Sequence, residues 1–234
     1  MFTQRPGRGG CWAAALLECG WTMGRQMKYV IMADGEGSRW HAQDGIPKHL
    51  MDVGGVTLLA RTVGQLQELG AAAENIVITS HDPRYAIPGA TLHVPLNNHR
   101  EIDRFTRELI EDDMCFLYGD TYYSRPTMAS IVKTPADGVL FTGSHLRIVA
   151  IKIGSAEQFR RGLALVEEAI GDGRLADGKG WQVYRALHGI PFGAREIRGD
   201  FSWADDLTRD INTWADYRHL LAAIGPGQSS PATP

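Results

Sequence analysis

The first residues suited to chemistry lie in a glycine-containing turn directly after a short apolar run. The run spans residues 28–33, and the turn Asp-Gly-Glu-Gly-Ser-Arg follows it and ends at Arg39. Glycines let backbone amides approach a phosphate closely, and the arginine supplies charge where outer phosphates would lie. Taken alone, a Gly-x-Gly pair is more often an ordinary turn between a strand and a helix. The backbone that would hold phosphates comprises Ala33, Asp34, Gly35, Glu36, Gly37 and Ser38.

The turn does not match two familiar phosphate-binding motifs. The dinucleotide fingerprint requires a third glycine where Trp40 stands, and the Walker loop requires Gly-Lys followed by Ser or Thr. A second cation, Lys48, follows shortly afterwards in the segment Gly-Ile-Pro-Lys. By itself, such a lysine is an ordinary surface residue.

Acidic and amide side chains occur in two later segments. Asp120 ends the apolar segment Phe-Leu-Tyr-Gly-Asp, and an aspartate at the carboxyl end of a parallel strand points into the crevice where open α/β sheets bind ligands. Capping of a turn before Pro126 is the alternative role. Asp210 and Asn212 are oxygen donors one residue apart on the same side of an extended segment. Either side chain is a candidate metal ligand.

In combination, these motifs resemble the nucleotidyltransferase superfamily. Residues 27–70 carry Gly-x-Gly-Ser-Arg, then Pro-Lys-x-Leu, a glycine turn and a helix opening Leu-Leu-x-Arg. The Gly-Asp element at Asp120 and the closing segment 210–217 extend the resemblance over most of residues 27–224. Asp34 departs from the family, which usually has Ala or Gly there, so we expect it to alter contact with the base or ribose.

The resemblance implies a Mg²⁺-dependent enzyme that moves a nucleoside monophosphate from an NTP to a small phosphorylated acceptor and releases pyrophosphate. Asp120, with Asp210 or Asn212, would hold Mg²⁺. Lys48 would stabilise the α-phosphate in the in-line transition state, and Arg39 would hold the departing pyrophosphate. No catalytic base is required, because an acceptor phosphate is already anionic at neutral pH.

Substrate identity rests on three further expectations. CTP is favoured, because the unit is as short as the compact cytidylyltransferases that it resembles. Asn97 and Asn98 lie where superfamily members recognise the base and are candidates for pyrimidine contacts, although such a loop is usually just a turn. Trp181 and Tyr184 would offer aromatic faces to a sugar, polyol or choline phosphate. Packing within its own segment explains Trp181 equally well.

Alternating apolar and amphipathic segments supply the elements that must position these residues. We expect strands over 28–33, 75–80, 114–118 and 146–153, and helices over 57–69 and 101–110. Further helices begin after Ser155 and Thr213, each followed three residues later by a side chain suited to a capping box. The alternation predicts an α/β fold with a Rossmann-like, GT-A-type, doubly wound and mostly parallel sheet flanked by helices. Residues 171–193, with six glycines, are expected to form a small loop-rich acceptor lobe.

Composition limits the function classes. The chain has 234 residues, 44% hydrophobic and 22% charged, and a formal charge of −3, which is ordinary globular composition and provides no basic field for nucleic acid. Cys11, Cys19 and Cys115 are too few and irregularly spaced for a disulfide scaffold or zinc site. No apolar run is long enough for a membrane span. We therefore expect a cytoplasmic monomer or homodimer.

The domain boundaries follow from the same patterns. Residues 1–26 precede the first predicted strand and are expected to be a dispensable leader, while residues 27–224 form the nucleotidyltransferase domain. The Pro- and Ser-rich segment 225–234 is expected to be a disordered tail.

Three other functions remain open at this stage. A GT-A glycosyltransferase shares the fold but normally has Asp-x-Asp at the metal strand, whereas Asp120 is followed by Thr121 and Tyr122. A molybdopterin guanylyltransferase shares both N-terminal motifs and differs in preferring GTP. A noncatalytic nucleotide-binding regulator would retain the loop without turnover.

Overall fold

A seven-stranded sheet lies at the centre of the computed structural model, which describes residues 26–35, 40 and 45–225. The strand order in this sheet is β3-β2-β1-β4-β7-β6-β8, and β5 pairs with β9 in a separate two-stranded sheet. The strands are β1 (Lys28–Met32), β2 (Ile76–Thr79), β3 (Thr91–His93), β4 (Met114–Tyr118), β5 (Thr121–Tyr122), β6 (Val139–Gly143), β7 (Ile148–Ile153), β8 (Phe201–Trp203) and β9 (Arg209–Asp210).

The sheet is mostly parallel, as the sequence predicts. β1 pairs in parallel with β2 on one side and β4 on the other, so that Val30 lies opposite Val77 and Phe116. β2–β3 and β6–β8 are also parallel, whereas β7 is antiparallel to both β4 and β6. Strands with both faces covered are expected to be continuously apolar, and β1, β2 and β4 have that pattern.

In the part of the chain that the structure describes, the α-helices are α1 (Leu58–Glu68), α2 (Arg125–Lys133), α3 (Ala156–Gly171), α4 (Gly180–Leu187) and α5 (Trp214–Ile224). Three predicted helix starts are confirmed: the hydroxyls of Thr57, Ser155 and Thr213 accept the backbone N–H three residues later. Thr213 and Asp216 form the full reciprocal capping box. Among the described residues, no helix is long and apolar enough to cross a membrane.

Two apolar layers cover opposite faces of the sheet, because successive side chains of a strand point to opposite sides. Val30 and Met32 of β1 belong to one layer with α3 and α4, and Tyr29 and Ile31 belong to the other with α1 and α2. A third, smaller apolar cluster joins the segment before α1 to the C-terminal helix. It contains Trp40, Met51, Val53, Leu58, Tyr122, Ile211 and Leu220.

The predicted helix over residues 101–110 is wrong. The structure has two 3₁₀ turns, Glu101–Arg104 and Arg107–Leu109. Phe105 (φ −76°, ψ 71°) and Thr106 (φ −43°, ψ 98°) depart from helical geometry between them. Ile102 and Phe105 are both buried, and their three-residue spacing suits a 3₁₀ turn as well as an α-helix. Periodicity alone could not distinguish the two.

The predicted loop-rich segment 171–193 instead contains helix α4, which packs against α3. The contact is close, because a Cβ on Gly162 of α3 would lie 2.8 Å from Cγ of Leu187. The eight-residue amphipathic helix α4 was not recognised in the sequence, because glycines surround its start. This region is therefore part of the core rather than a separate lobe.

β1 and the end of β4 lie so close together at Gly119 that there is no room for a side chain. The N–H of Gly119 donates to the Met32 carbonyl at 2.9 Å, and a Cβ would lie 2.7 Å from that same oxygen.

We predict that Gly119→Ala lowers the free energy of unfolding by about 1–3 kcal/mol, because the backbones must separate. Gly64, inside α1 with open space around it, is the matched control, and Gly64→Ala should stabilise by about 0.5–1 kcal/mol. Chemical denaturation measures both, and a neutral Gly119→Ala would contradict the crowding argument.

Candidate active site

A cavity of about 580 Å³ lies at the carboxyl ends of β1 and β4. This is the edge where open α/β sheets bind ligands. Polar and charged side chains converge there from segments that are distant in sequence. The predicted site residues that line the cavity are Asp34, Lys48, Asn98, Asp120, Trp181, Asp210 and Asn212.

Lys48 and Asp120 form an ion pair in this cavity. Lys48 Nζ lies 2.5 Å from Asp120 Oδ2, and the two side chains are only 9% and 16% exposed. Lys48 begins a 3₁₀ turn after Pro47, and Asp120 directly follows Gly119 at the end of β4. Burial by itself would raise the pKa of Asp120, but Lys48, His49 and Arg104 outweigh it and hold the pKa below its ordinary value. The carboxylate is therefore charged at neutral pH.

The small β5–β9 sheet brings Asp210 to the same cavity. Thr121 pairs with Asp210, and the N–H of Ile211 donates to the Asp120 carbonyl at 2.7 Å. Asp210 Oδ1 lies 2.6 Å from Arg147 Nη1, and Asp210 Oδ2 accepts from Asn212 Nδ2 at 2.5 Å. The structure thus joins the Gly-Asp element and the closing motif at one place.

Asp120, Asp210 and Asn212 offer the kind of oxygen ligands that Mg²⁺ takes when substrate phosphates complete its shell. Within the described ranges, no group of three or more His, Cys, Asp or Glu side chains is arranged to hold a metal. Magnesium usually takes only one or two carboxylates and completes its shell with substrate phosphates and water. Asp120 and Asp210 supply two carboxylates that line one cavity, and Asn212 adds an amide oxygen.

A second cavity of about 340 Å³ adjoins the first and shares Asp34, Lys48 and Asn98 with it. The Asp34 carboxylate accepts the backbone N–H of His81 at 2.9 Å and lies 2.6 Å from His81 Nδ1. Asn98 Nδ2 donates to the Asp34 carbonyl at 2.9 Å. Asp34 therefore ties the start of the glycine turn to the segments after β2 and β3.

The other predicted nucleotide-binding residues have different positions. Ala33 and Gly35 line the smaller cavity. Asn97 is exposed and does not belong to the lining of either cavity. Arg39 lies outside the described residues, as do Glu36, Gly37 and Ser38.

The prediction that Tyr184 faces an acceptor is wrong. The side chain of Tyr184, on α4, is fully buried. Its hydroxyl donates to the Arg198 carbonyl and accepts the Arg198 N–H at 2.7 Å. Trp181, one turn earlier, does line the larger cavity. Its ring stacks on Phe201 at 5.8 Å between centroids, and the Arg185 guanidinium lies over it at 5.5 Å. The two residues lie on the same side of α4, with ring centroids 5.6 Å apart, and Trp181 packs at the edge of the core where the cavity begins.

Four cationic residues of the cavity lining are missed by the sequence analysis: Arg100, Arg104, Arg147 and Lys179. The signal for Arg100 and Arg104 was their four-residue spacing in a segment whose apolar residues predict burial of the other side. For Arg147, which lies in the turn between β6 and β7, the sequence offered no comparable signal.

His49 lies directly behind the ion pair and is 2% exposed. Its Nδ1 is 3.0 Å from the Tyr85 hydroxyl. Burial, with help from Lys48 and Arg104, lowers the pKa of His49 to about 4, although Asp120 and Asp34 oppose the shift. His49 is therefore neutral at physiological pH.

This burial predicts a pH-dependent stability. The ordinary pKa of His49 is 6.5, so between pH 6.5 and 4 the unfolded chain binds a proton that the folded chain does not. The free energy of unfolding must therefore fall as pH falls through this window. Between pH 7.5 and pH 5, we expect the wild type to lose about 2 kcal/mol more than His49→Gln. Denaturation at both pH values measures the difference, and equal losses would rule out a neutral buried imidazole.

Comparison with known proteins identifies the class to which this fold belongs. No family model matches the chain. The bifunctional enzyme IspD/IspF of Clavibacter michiganensis subsp. michiganensis is 40% identical over 81 residues, which are 34% of this chain and 19% of that protein. The match thus spans about a fifth of the relative's length.

Two solved structures extend the likeness over most of the chain. The inositol-1-phosphate CTP transferase from T. maritima is 13% identical, with a TM-score of 0.58 over 87% of this chain and 98% of that one. The CTP:phosphocholine cytidylyltransferase LicC from Streptococcus pneumoniae is 14% identical, with a TM-score of 0.52 over 86% of this chain and all of that one. The chain therefore shares the fold of these two enzymes, and the Rossmann-like, mostly parallel sheet predicted from the sequence is confirmed.

Proposed function

We propose that this protein is a nucleotidyltransferase that transfers a nucleoside monophosphate from an NTP, with CTP favoured, to a small phosphorylated acceptor. The observation that carries the proposal is the Lys48–Asp120 pair, held at 2.5 Å at the carboxyl edge of the parallel strands. It places a cation and an anion next to the start of the glycine turn. Nucleotidyl transfer needs both kinds of charge, one for the phosphates and one for a metal.

The reaction requires positioning more than proton transfer. An oxygen of the acceptor phosphate attacks the α-phosphorus, the bond to the β-phosphate oxygen breaks, and its electron pair leaves with pyrophosphate. Lys48 would stabilise negative charge on the α-phosphate, and Arg39 would hold the pyrophosphate. The contact with Asp120 orients the Lys48 ammonium within the cavity.

Asp120, together with Asp210 or Asn212, would hold Mg²⁺. When bound, the ion would neutralise charge on the reacting phosphates and orient them. Arg147 and Asn212 contact the two oxygens of the Asp210 carboxylate, so Mg²⁺ binding there would replace one of these contacts.

Three observations support the substrate assignment. Two neighbours in fold are named for CTP as substrate. The smaller cavity, beside Asn98, has room for a base next to the phosphate region. Trp181 lines the larger cavity, where it would contact the acceptor.

We also propose residues 27–224 as the catalytic domain and the cytoplasm as its location. The first described strand begins at Lys28 and the last helix ends at Ile224. Cys115 is a free thiol buried in β4, as expected for a reducing compartment.

Pyrophosphate release across the four NTPs and a panel of sugar, polyol and choline phosphates tests the activity. We expect CTP with one acceptor to support turnover, and Lys48→Ala to lower kcat/KM at least about a hundredfold, because one preorganised charge is lost. Lys133→Ala is the control, since Lys133 ends α2 and does not line the larger cavity. Turnover with GTP alone would favour a guanylyltransferase, and binding without turnover would favour a regulator.

Metal removal tests the role of the carboxylates. We expect EDTA to abolish turnover, Mg²⁺ to restore it, and Asp120→Asn to be inactive, because a neutral amide does not replace the charge of a carboxylate. Asp210→Asn and Asn212→Ala identify the second ligand by which variant needs more Mg²⁺ for half-maximal rate. Full activity in EDTA would refute a metal-dependent reaction.

A further inference from the structure

Arg104 occupies the wall of the larger cavity that faces the glycine turn. It ends the 3₁₀ turn Glu101–Arg104, whose Ile102 is anchored in the core. Its guanidinium Nη2 lies 2.9 Å from Glu101 Oε1, and its side chain is 27% exposed. The cation is thus held at the cavity surface and remains accessible from it.

The Arg104 guanidinium packs over the backbone at the start of the glycine turn. A Cβ on Gly35 would lie 3.2 Å from both Arg104 Cζ and Arg104 Nη2. Nothing larger than glycine fits there without moving the arginine. The absence of a side chain at Gly35 therefore brings a planar cation against the segment predicted to hold phosphates.

The turn that carries Arg104 is fixed by two aspartates. Asp103 accepts the backbone N–H groups of His99 and Arg100 through Oδ2, at 3.2 and 2.9 Å. Asp177 accepts the Glu101 N–H at 3.1 Å. This arrangement reduces the conformational freedom that Arg104 would lose on binding an anion.

Arg104 also lines the same cavity as Lys48 and Asp120. Lys48 contacts Asp120 there at 2.5 Å, so both cations border one space with this carboxylate. An anion between the glycine turn and Asp120 would meet both cations.

From this geometry we propose that Arg104 is a substrate-contacting residue that binds the phosphate chain of the NTP opposite Lys48. A guanidinium presents parallel N–H donors to two phosphate oxygens, which a lysine ammonium does not. Glu101 orients the group and leaves its remaining donors for phosphate. The inference rests on the proposed function and names a phosphate ligand that the sequence motifs do not contain.

Calorimetric titration in Mg²⁺, without acceptor, tests the contact. The titrants are CTP and CMP, and the proteins are wild type, Arg104→Gln and Arg104→Lys. We expect Arg104→Gln to weaken CTP binding at least tenfold while changing CMP binding less than about twofold, and Arg104→Lys to lie between. A contact with the outer phosphates predicts this difference between CTP and CMP, whereas general damage to the site would weaken the binding of both ligands equally.

Arg107→Ala is the matched control, because Arg107 lies on the next turn, pairs with Glu167 at 2.7 Å and does not line the cavity. It should bind CTP like the wild type. Unchanged CTP binding in Arg104→Gln, with binding lost in Lys48→Ala, would overturn the inference and leave the proposed function standing. An equal loss of CTP and CMP would also overturn it. A wild-type protein that binds no NTP would overturn both proposals.

Discussion

The site depends on a nearly buried ion pair, Lys48 with Asp120, at the edge of a parallel sheet. A buried charge without a partner is costly, so each member of such a pair requires the other. Asp120 is held there because Gly119 lets β4 approach β1, where its N–H donates to the Met32 carbonyl. Lys48 is the first residue of a short 3₁₀ turn that follows Pro47. Backbone packing and electrostatics therefore determine the position of both side chains together.

The C-terminal part of the chain is joined to this centre by a two-stranded sheet and an aromatic cluster. Pairing of Thr121 with Asp210 places the closing motif beside Asp120. Trp40, at the far end of the glycine turn, contacts Trp214 and Tyr217 of α5, with ring centroids 5.2 and 6.2 Å apart. Helix α5 thus packs against one end of the proposed phosphate loop, while its capping residue Thr213 follows the proposed metal ligands.

Charges in the cavity are closely balanced by pairing among its own side chains. Asp120 is paired with Lys48, Asp210 with Arg147, and Glu101 with Arg104. Such pairing lowers the cost of gathering charge in a partly buried space. It also means that an incoming anion or cation would exchange partners with these groups, which suits the proposed binding of an NTP and release of two anionic products.

The sequence alone determined the strand–helix alternation, the starts of α1, α3 and α5, and the motifs around Lys48, Asp120 and Asp210, because these depend on local periodicity and on residue types with few alternative uses. Only the tertiary structure decided that residues 101–110 form two 3₁₀ turns with Arg104 towards Gly35, and that Tyr184 is buried while Trp181 lines the cavity. A three-residue apolar spacing suits either kind of helix. How deeply each residue of α4 is buried depends on the packing of this helix against α3 and the sheet, and those contacts join residues far apart in the chain.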